Sequence, residues 1–175
     1  MDRRAFTLIE LLVVMSTIAI LAALLLPLTS RIRGEARKMQ CVSNLGQLGK
    51  AINLYVDDNE NWYPCATIMP STEAKGGLPR ICDLLARYTD PRVFECPDDR
   101  PTDPEYAFGT YFEGEGSSYE WAELLNYLKV GQPVRYAPIK IEDAAMLRDY
   151  EPFHRRGSGK LGVNCLYHDG HVESF

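Results

Sequence analysis

The chain has 175 residues, enough for one ordinary domain or a small domain with an appendage. At 46% hydrophobic and 25% charged, it is neither a wholesale disordered chain nor a polytopic membrane protein. The net charge of -5 is split, with +4 over residues 1–56 and -9 over residues 57–175; an acidic second part is a poor partner for phosphate backbones, so nucleic acid is not an expected ligand.

The first element is an apolar run. Between Leu11 and Ser30 there is no charged residue, and fourteen of the sixteen residues from Leu11 to Leu26 are apolar. Phe6 to Leu26 is 21 residues, roughly 31 Å of helix at about 1.5 Å per residue, which matches a hydrocarbon core of about 30 Å. A secretory signal peptide is the alternative, but the run is long for one and no A-x-A site closes it. Glu10 lies inside the apolar stretch, where a carboxylate is costly and needs a partner. Flanking charge does not orient the segment, because Arg3 and Arg4 stand on one side and Arg31, Arg33, Arg37 and Lys38 on the other.

The residues R-R-A-F-T-L-I-E-L-L-V-V resemble the cleavage and methylation segment of type IV prepilins and type II secretion pseudopilins. The shared pattern is a short basic leader, a small residue, Phe, a Glu four residues on, and an unbroken apolar helix. The resemblance implies that a prepilin peptidase/methyltransferase cuts between Ala5 and Phe6 and methylates the new amine; Ala5 stands where the family usually has Gly. It also implies an inner-membrane, single-pass protein with a cytoplasmic leader and a periplasmic C-terminal domain. Its partners would be other pseudopilin subunits and the inner-membrane assembly platform. Removal of the leader places a positive terminus about 6 Å along the helix axis from Glu10, so Glu10 is the expected assembly residue, meeting the amine of a neighbouring subunit.

Pro27 removes a backbone donor where the apolar run ends, and Gly34 follows, so a kink or loosening is expected there. Beyond it Leu45, Leu48, Ile52 and Tyr55 recur at helical spacing, with Met39 and Cys41 or Val42 about a turn earlier. Asn44 falls among the polar residues of the other surface. This amphipathic helix should end near Asp57-Asp58-Asn59. The segment from Gln40 to Pro64, together with VFECPDD, SSYEW and the C-terminal FHRRGSGKLGVNCLYHDGHVESF, resembles pseudopilin-like proteins of planctomycete and verrucomicrobial bacteria. Their C-terminal signature, a His, a spacer and Asp-Gly, maps to His154 and Asp169-Gly170 with fourteen residues between.

In the remainder, Leu78-Pro79-Arg80-Ile81 opens a helix with Ile81, Leu84, Leu85 and Tyr88 on one face, ending before Asp90-Pro91. Residues 95–120 read as an irregular acidic loop. Ser117 to Lys129 fits either a helix started by a Ser117/Glu120 capping box or a strand. Asp169-Gly170 predicts a two-residue type I′ hairpin turn between Leu161–His168 and His171–Phe175. The expected fold class is α+β: a long N-terminal helix, membrane-spanning first and amphipathic second, packed on a small antiparallel sheet with a C-terminal hairpin. The expected organisation is a leader at 1–5, a transmembrane and assembly helix at 6–30, its amphipathic extension at 31–58 and a globular head at 59–175.

Cys41, Cys65, Cys82, Cys96 and Cys165 contain no Cys-x-x-Cys, so a zinc ribbon or thioredoxin-type centre is not supported, and spacing does not choose among disulfide pairings. A metal or hydrolytic site at His154, His168, His171 and Asp169 is disfavoured, because Asp169 already has a turn to make. Asp98, Asp99 and Asp103, with Glu95 and Glu105, form a weak calcium candidate, against which stands a solvated acidic loop. Otherwise no cofactor is expected. No phosphate loop or supported catalytic triad is present, so the chain does not read as an enzyme. The expected function is a structural subunit of a periplasmic pseudopilus in a type II secretion-like system. The alternatives are a type IV pilin for adhesion or DNA uptake, and a membrane-anchored binding or enzymatic domain.

Overall fold

The computed structural model describes residues 7–68, 77–101, 109–133, 143–155 and 161–175. They form an α+β protein: helix α1 (Leu8–Asp58), two short helices α2 (Ile81–Leu85) and α3 (Tyr111–Glu115), and strands β1 (Tyr119–Trp121), β2 (Ala145–Asp149), β3 (His154–Arg155), β4 (Leu161–Gly162), β5 (Asn164–Tyr167) and β6 (Val172–Ser174). The chain divides into two compact units, Met1–Ala36 and Arg37–Phe175.

Helix α1 ends at Asp58, where the sequence expects it, but it continues through Pro27 and Gly34 as one element. A proline deletes one rung of the helical ladder, and the regular turns on both sides hold the remainder. In the second unit the helix buries Cys41, Leu45, Leu48, Ile52 and Val56. That spacing of four, three, four and four keeps one face inward. Met39, six residues before Leu45, falls off this stripe and is 64% exposed, contrary to expectation. Asn44 is buried instead of facing solvent, because its Nδ2 donates to the Glu95 carbonyl at 2.8 Å.

Among the described residues the main sheet is antiparallel in the order β1-β2-β5-β6, with β3 and β4 forming a separate pair. The stretch from Ser117 to Lys129 is neither one capped helix nor one strand: it holds the short strand β1 and then a 3-10 turn at Glu123–Leu125. Trp121, Tyr119, Met146, Leu147 and Leu166 join the helix face and Phe94, Ile81 and Leu85 in one core. Gly49 permits the close approach of α1 to the sheet: a Cβ there would lie 3.1 Å from Leu166 Cδ1. Asn126 ties the segment before α2 to the sheet, its amide bonding both Ala66 backbone groups and accepting from Trp121 Nε1.

Two expectations for the head need correction. Residues 95–120 are not wholly irregular, because α3 forms within them. The Thr110 hydroxyl accepts from Glu113 N–H at 3.1 Å and left-handed Gly116 (φ 81°) closes the helix. The C-terminal turn is not type I′. Gly170 N–H donates to the Tyr167 carbonyl and Tyr167 N–H to the His171 carbonyl, each at 3.0 Å. Gly170 has φ 86° while Asp169 has no positive φ. This is a three-residue loop with a glycine bulge. Asp169 serves it by accepting from His171 N–H at 3.0 Å.

A Cβ at Gly170 would meet no atom within 4 Å, so the cost of substitution there is conformational, not steric. Gly170→Val is expected to destabilise the head by about 1–2 kcal/mol. Denaturant unfolding checks this; an unchanged midpoint would show that the hairpin does not need the left-handed residue.

Candidate functional site

The first candidate region is the start of α1. Ala5 and Phe6 lie outside the described residues. Leu8–Leu25 forms an apolar stretch with a mean hydropathy of 2.6, long enough to cross a membrane, none of it buried within the chain. This single N-terminal helix fits the single-pass anchor of prepilin-like proteins. Glu10 is not an isolated charge on it. Its Oε2 accepts from Thr7 N–H at 2.9 Å and from the Thr7 hydroxyl at 2.7 Å, while Glu10 N–H donates back to Thr7 Oγ1 at 3.3 Å. This is a reciprocal capping box. Its signal in the sequence, not used above, is Thr7-x-x-Glu10 before an apolar run. The box survives removal of residues 1–5, because all its atoms belong to Thr7 and Glu10.

The second region is a polar cluster inside the head. Cys41 on α1 and Cys96, two residues after the 3-10 turn Pro91–Phe94, form a disulfide; Cys65, Cys82 and Cys165 are free. His154, 2% exposed on β3, lies against it, with Nε2 3.4 Å from Cys96 Sγ and 3.4 Å from Asp149 Oδ2. Its Nδ1 faces Asp98 Oδ2 at 3.3 Å, and Asp98 is ion-paired with Arg37. Burial pushes the Asp149 carboxyl up to about 7. Burial also pushes the His154 imidazole down, against the pull of Asp98. Asp149 Oδ2 accepts from Asn164 N–H at 2.7 Å, while its Oδ1 is buried without a hydrogen-bond partner.

The calcium candidates divide accordingly. Asp98 is held between Arg37 and His154. Asp99, 5% exposed, accepts from Tyr111 N–H at 3.1 Å, Phe112 N–H at 2.9 Å and the Ser118 hydroxyl at 2.6 Å. Ser118 Oγ in turn accepts from Cys96 N–H at 2.9 Å. Asp103 lies outside the described residues. His154 takes its polar contacts from Asp98, Asp149 and Cys96, while Asp169 pairs with His171 in the exposed turn. The place of Asp149 in this cluster was not legible from sequence, where no strand was read around it.

Residues 1–26 match the prokaryotic N-terminal methylation motif. No curated protein and no solved structure matches the chain. The motif supports a type IV pilin-like or pseudopilin-like protein. It implies processing by a prepilin peptidase and assembly with other pilin-type subunits.

Asp99→Ala would leave two backbone N–H groups and one hydroxyl without their acceptor. The expected loss is about 2–4 kcal/mol of head stability. The check is the midpoint of denaturant unfolding followed by near-ultraviolet circular dichroism; a shift below about 1 kcal/mol would mean that solvent replaces the carboxylate freely.

Proposed function

We propose that the protein is a structural, non-enzymatic subunit of a periplasmic pseudopilus in a type II secretion-like system. In this reading the leader 1–5 is cytoplasmic, the head is periplasmic and assembly proceeds through α1. The observation that carries it is the conjunction at the N-terminus. A methylation motif covers residues 1–26, and an exposed apolar helix carries a single carboxylate at Glu10. The likeness of the head to the planctomycete and verrucomicrobial pseudopilin-like proteins, through His154 and Asp169-Gly170, belongs to the same proposal. Both hydrogen bonds that Thr7 donates fall on Glu10 Oε2. Oε1 then serves the methylated amine of Phe6 from a neighbouring subunit, in a lipid or filament interior where such a pair is strong.

Processing gives the first test. The mature chain is expected to begin at N-methylated Phe6 when intact mass is measured on membrane-extracted protein from cells with active peptidase. Retention of Met1 or Asp2 would exclude it.

Assembly gives the second. Glu10→Val is expected to leave cleavage and membrane insertion intact, since a charge leaves the apolar segment. Each added subunit would then bury an unpaired amine, at a cost of several kcal/mol, so polymer should fall to background. Thr7→Val separates the two roles of the carboxylate. It breaks the capping box, at about 1 kcal/mol, but keeps the charge, and should still assemble. Immunoblots of sheared and membrane fractions compare the three chains. Wild-type polymer from a cleaved Glu10→Val chain would favour the anchored-domain alternative.

A further inference from the structure

Cys41, Cys96, His154 and Asp149 come from α1, the segment after the 3-10 turn, β3 and the end of β2, yet one ligand atom from each lies within 4.8 Å of all the others. All four residues are buried. Two sulfurs, one imidazole nitrogen and one carboxylate oxygen make a complete tetrahedral donor set for a zinc-class ion. Thiolate and imidazole donors select against calcium and magnesium.

Three features beyond proximity fit a ligand. His154 is oriented: Nδ1 faces the Asp98 carboxylate at 3.3 Å, which directs the Nε2 lone pair toward Cys96 and Asp149. A carboxylate behind a histidine is the usual support of a metal-bound imidazole. Asp149 is half-satisfied, with Oδ2 held by Asn164 N–H at 2.7 Å and Oδ1 buried with no partner. Burying an acceptor in that state is costly, and a cation held by this carboxylate, whose Oδ2 lies 3.4 Å from His154 Nε2, would offset that cost. Finally, Arg37 pairs with Asp98 at the outer edge of the cluster. It offsets part of the negative charge that two thiolates and a carboxylate bring to a divalent ion.

We propose that the dithiol form of the head binds one divalent zinc-class cation through Cys41, Cys96, His154 and Asp149, and that this form and the Cys41–Cys96 disulfide are alternative states of one site. Binding exchanges two S–H bonds for two metal–sulfur bonds and releases two protons to solvent, with no change of oxidation state. Two sulfurs each about 2.3 Å from a tetrahedral ion stand roughly 3.8 Å apart. The Cα atoms of Cys41 and Cys96 are 5.3 Å apart, so rotation about the Cα–Cβ bonds separates the sulfurs while the backbone stays. Oxidation by a disulfide such as oxidised glutathione forms the Cys41–Cys96 bond, breaks the oxidant's S–S bond to give two thiols that take two protons from solvent, and expels the ion. The chain thus has a closed core before it meets an oxidising compartment, and keeps it afterwards through a covalent link.

The test uses the full chain in detergent. One sample is reduced with a phosphine and kept anaerobic; the other is oxidised with glutathione disulfide. Both are titrated with cobalt(II), followed by zinc(II). The reduced chain should take up one cobalt with thiolate charge-transfer and tetrahedral d–d bands, and zinc should abolish them. Both samples carry Cys65→Ser, Cys82→Ser and Cys165→Ser, so the difference reports Cys41 and Cys96 alone. Oxidation should weaken binding at least tenfold, and His154→Gln in the reduced chain should do the same. The oxidised–reduced comparison stands even if that variant fails to fold. Equal cobalt binding by the two samples, no binding by the reduced chain, or full affinity in a folded His154→Gln chain would each overturn the proposal.

Discussion

The head depends on one cross-link and the polar contacts that surround it. Cys41 sits on the buried face of α1, and its bond to Cys96 fastens the helix to the segment leading out of the core. Asn44, three residues along the helix, holds the Glu95 carbonyl; Arg37, a turn back, holds Asp98. From that strip the contacts spread inward. Cys96 N–H reaches Ser118, Ser118 reaches Asp99, and Asp99 gathers the first N–H groups of α3. The disulfide closes a separation of 55 residues. In the chain-entropy account such a loop contributes about 4 kcal/mol, a large fraction of the stability of a small domain. Residues 95–99 contain no regular element of their own, so the disulfide and these polar contacts together set their course.

Helix α1 shows how one regular backbone serves two solvents. Its first part, Leu8–Leu25, is mostly apolar and buries nothing against the chain. Its second part carries a single buried stripe. Side-chain patterning distinguishes the two lengths of helix. The capping box at Thr7 and Glu10 satisfies donors at the start of the apolar helix, where an unpaired N–H away from water is costly.

What was legible in the sequence follows the range of the interaction concerned. Periodicity located α1, the core residues Leu45, Leu48 and Ile52, and the start of the helix at Ile81, because these are set by neighbours three or four positions away; that helix stops at Leu85, short of the expected Tyr88. The exposure of Met39 was available from the same arithmetic, since six residues from Leu45 is well off the stripe. The hairpin was legible but its turn type was not. Asp-Gly suits both a two-residue turn and a three-residue bulged loop, and strand register selects between them. The disulfide partner and the Asp149–His154 contact were beyond reach. Each depends on a tertiary approach between segments with no local signature.

The acidic residues make the same point about chemistry. Counted along the sequence, Asp98, Asp99 and Asp103 suggest a loop of carboxylates waiting for a hard cation. The two that the structure describes have other partners. Asp99 is an acceptor for three protein donors, and Asp98 stands between a guanidinium and an imidazole. Asp149, which no acidic run marks, is the carboxylate with an oxygen to spare, in a place where burial raises it to about 7. A carboxylate's capacity to bind is set by how many of its lone pairs the fold has left unused and by the cost of leaving them so. By that measure acidic density is a poor guide, and a lone aspartate at the end of β2, facing two sulfurs and a fixed imidazole, is a better place to look for a cation than the run that first draws notice.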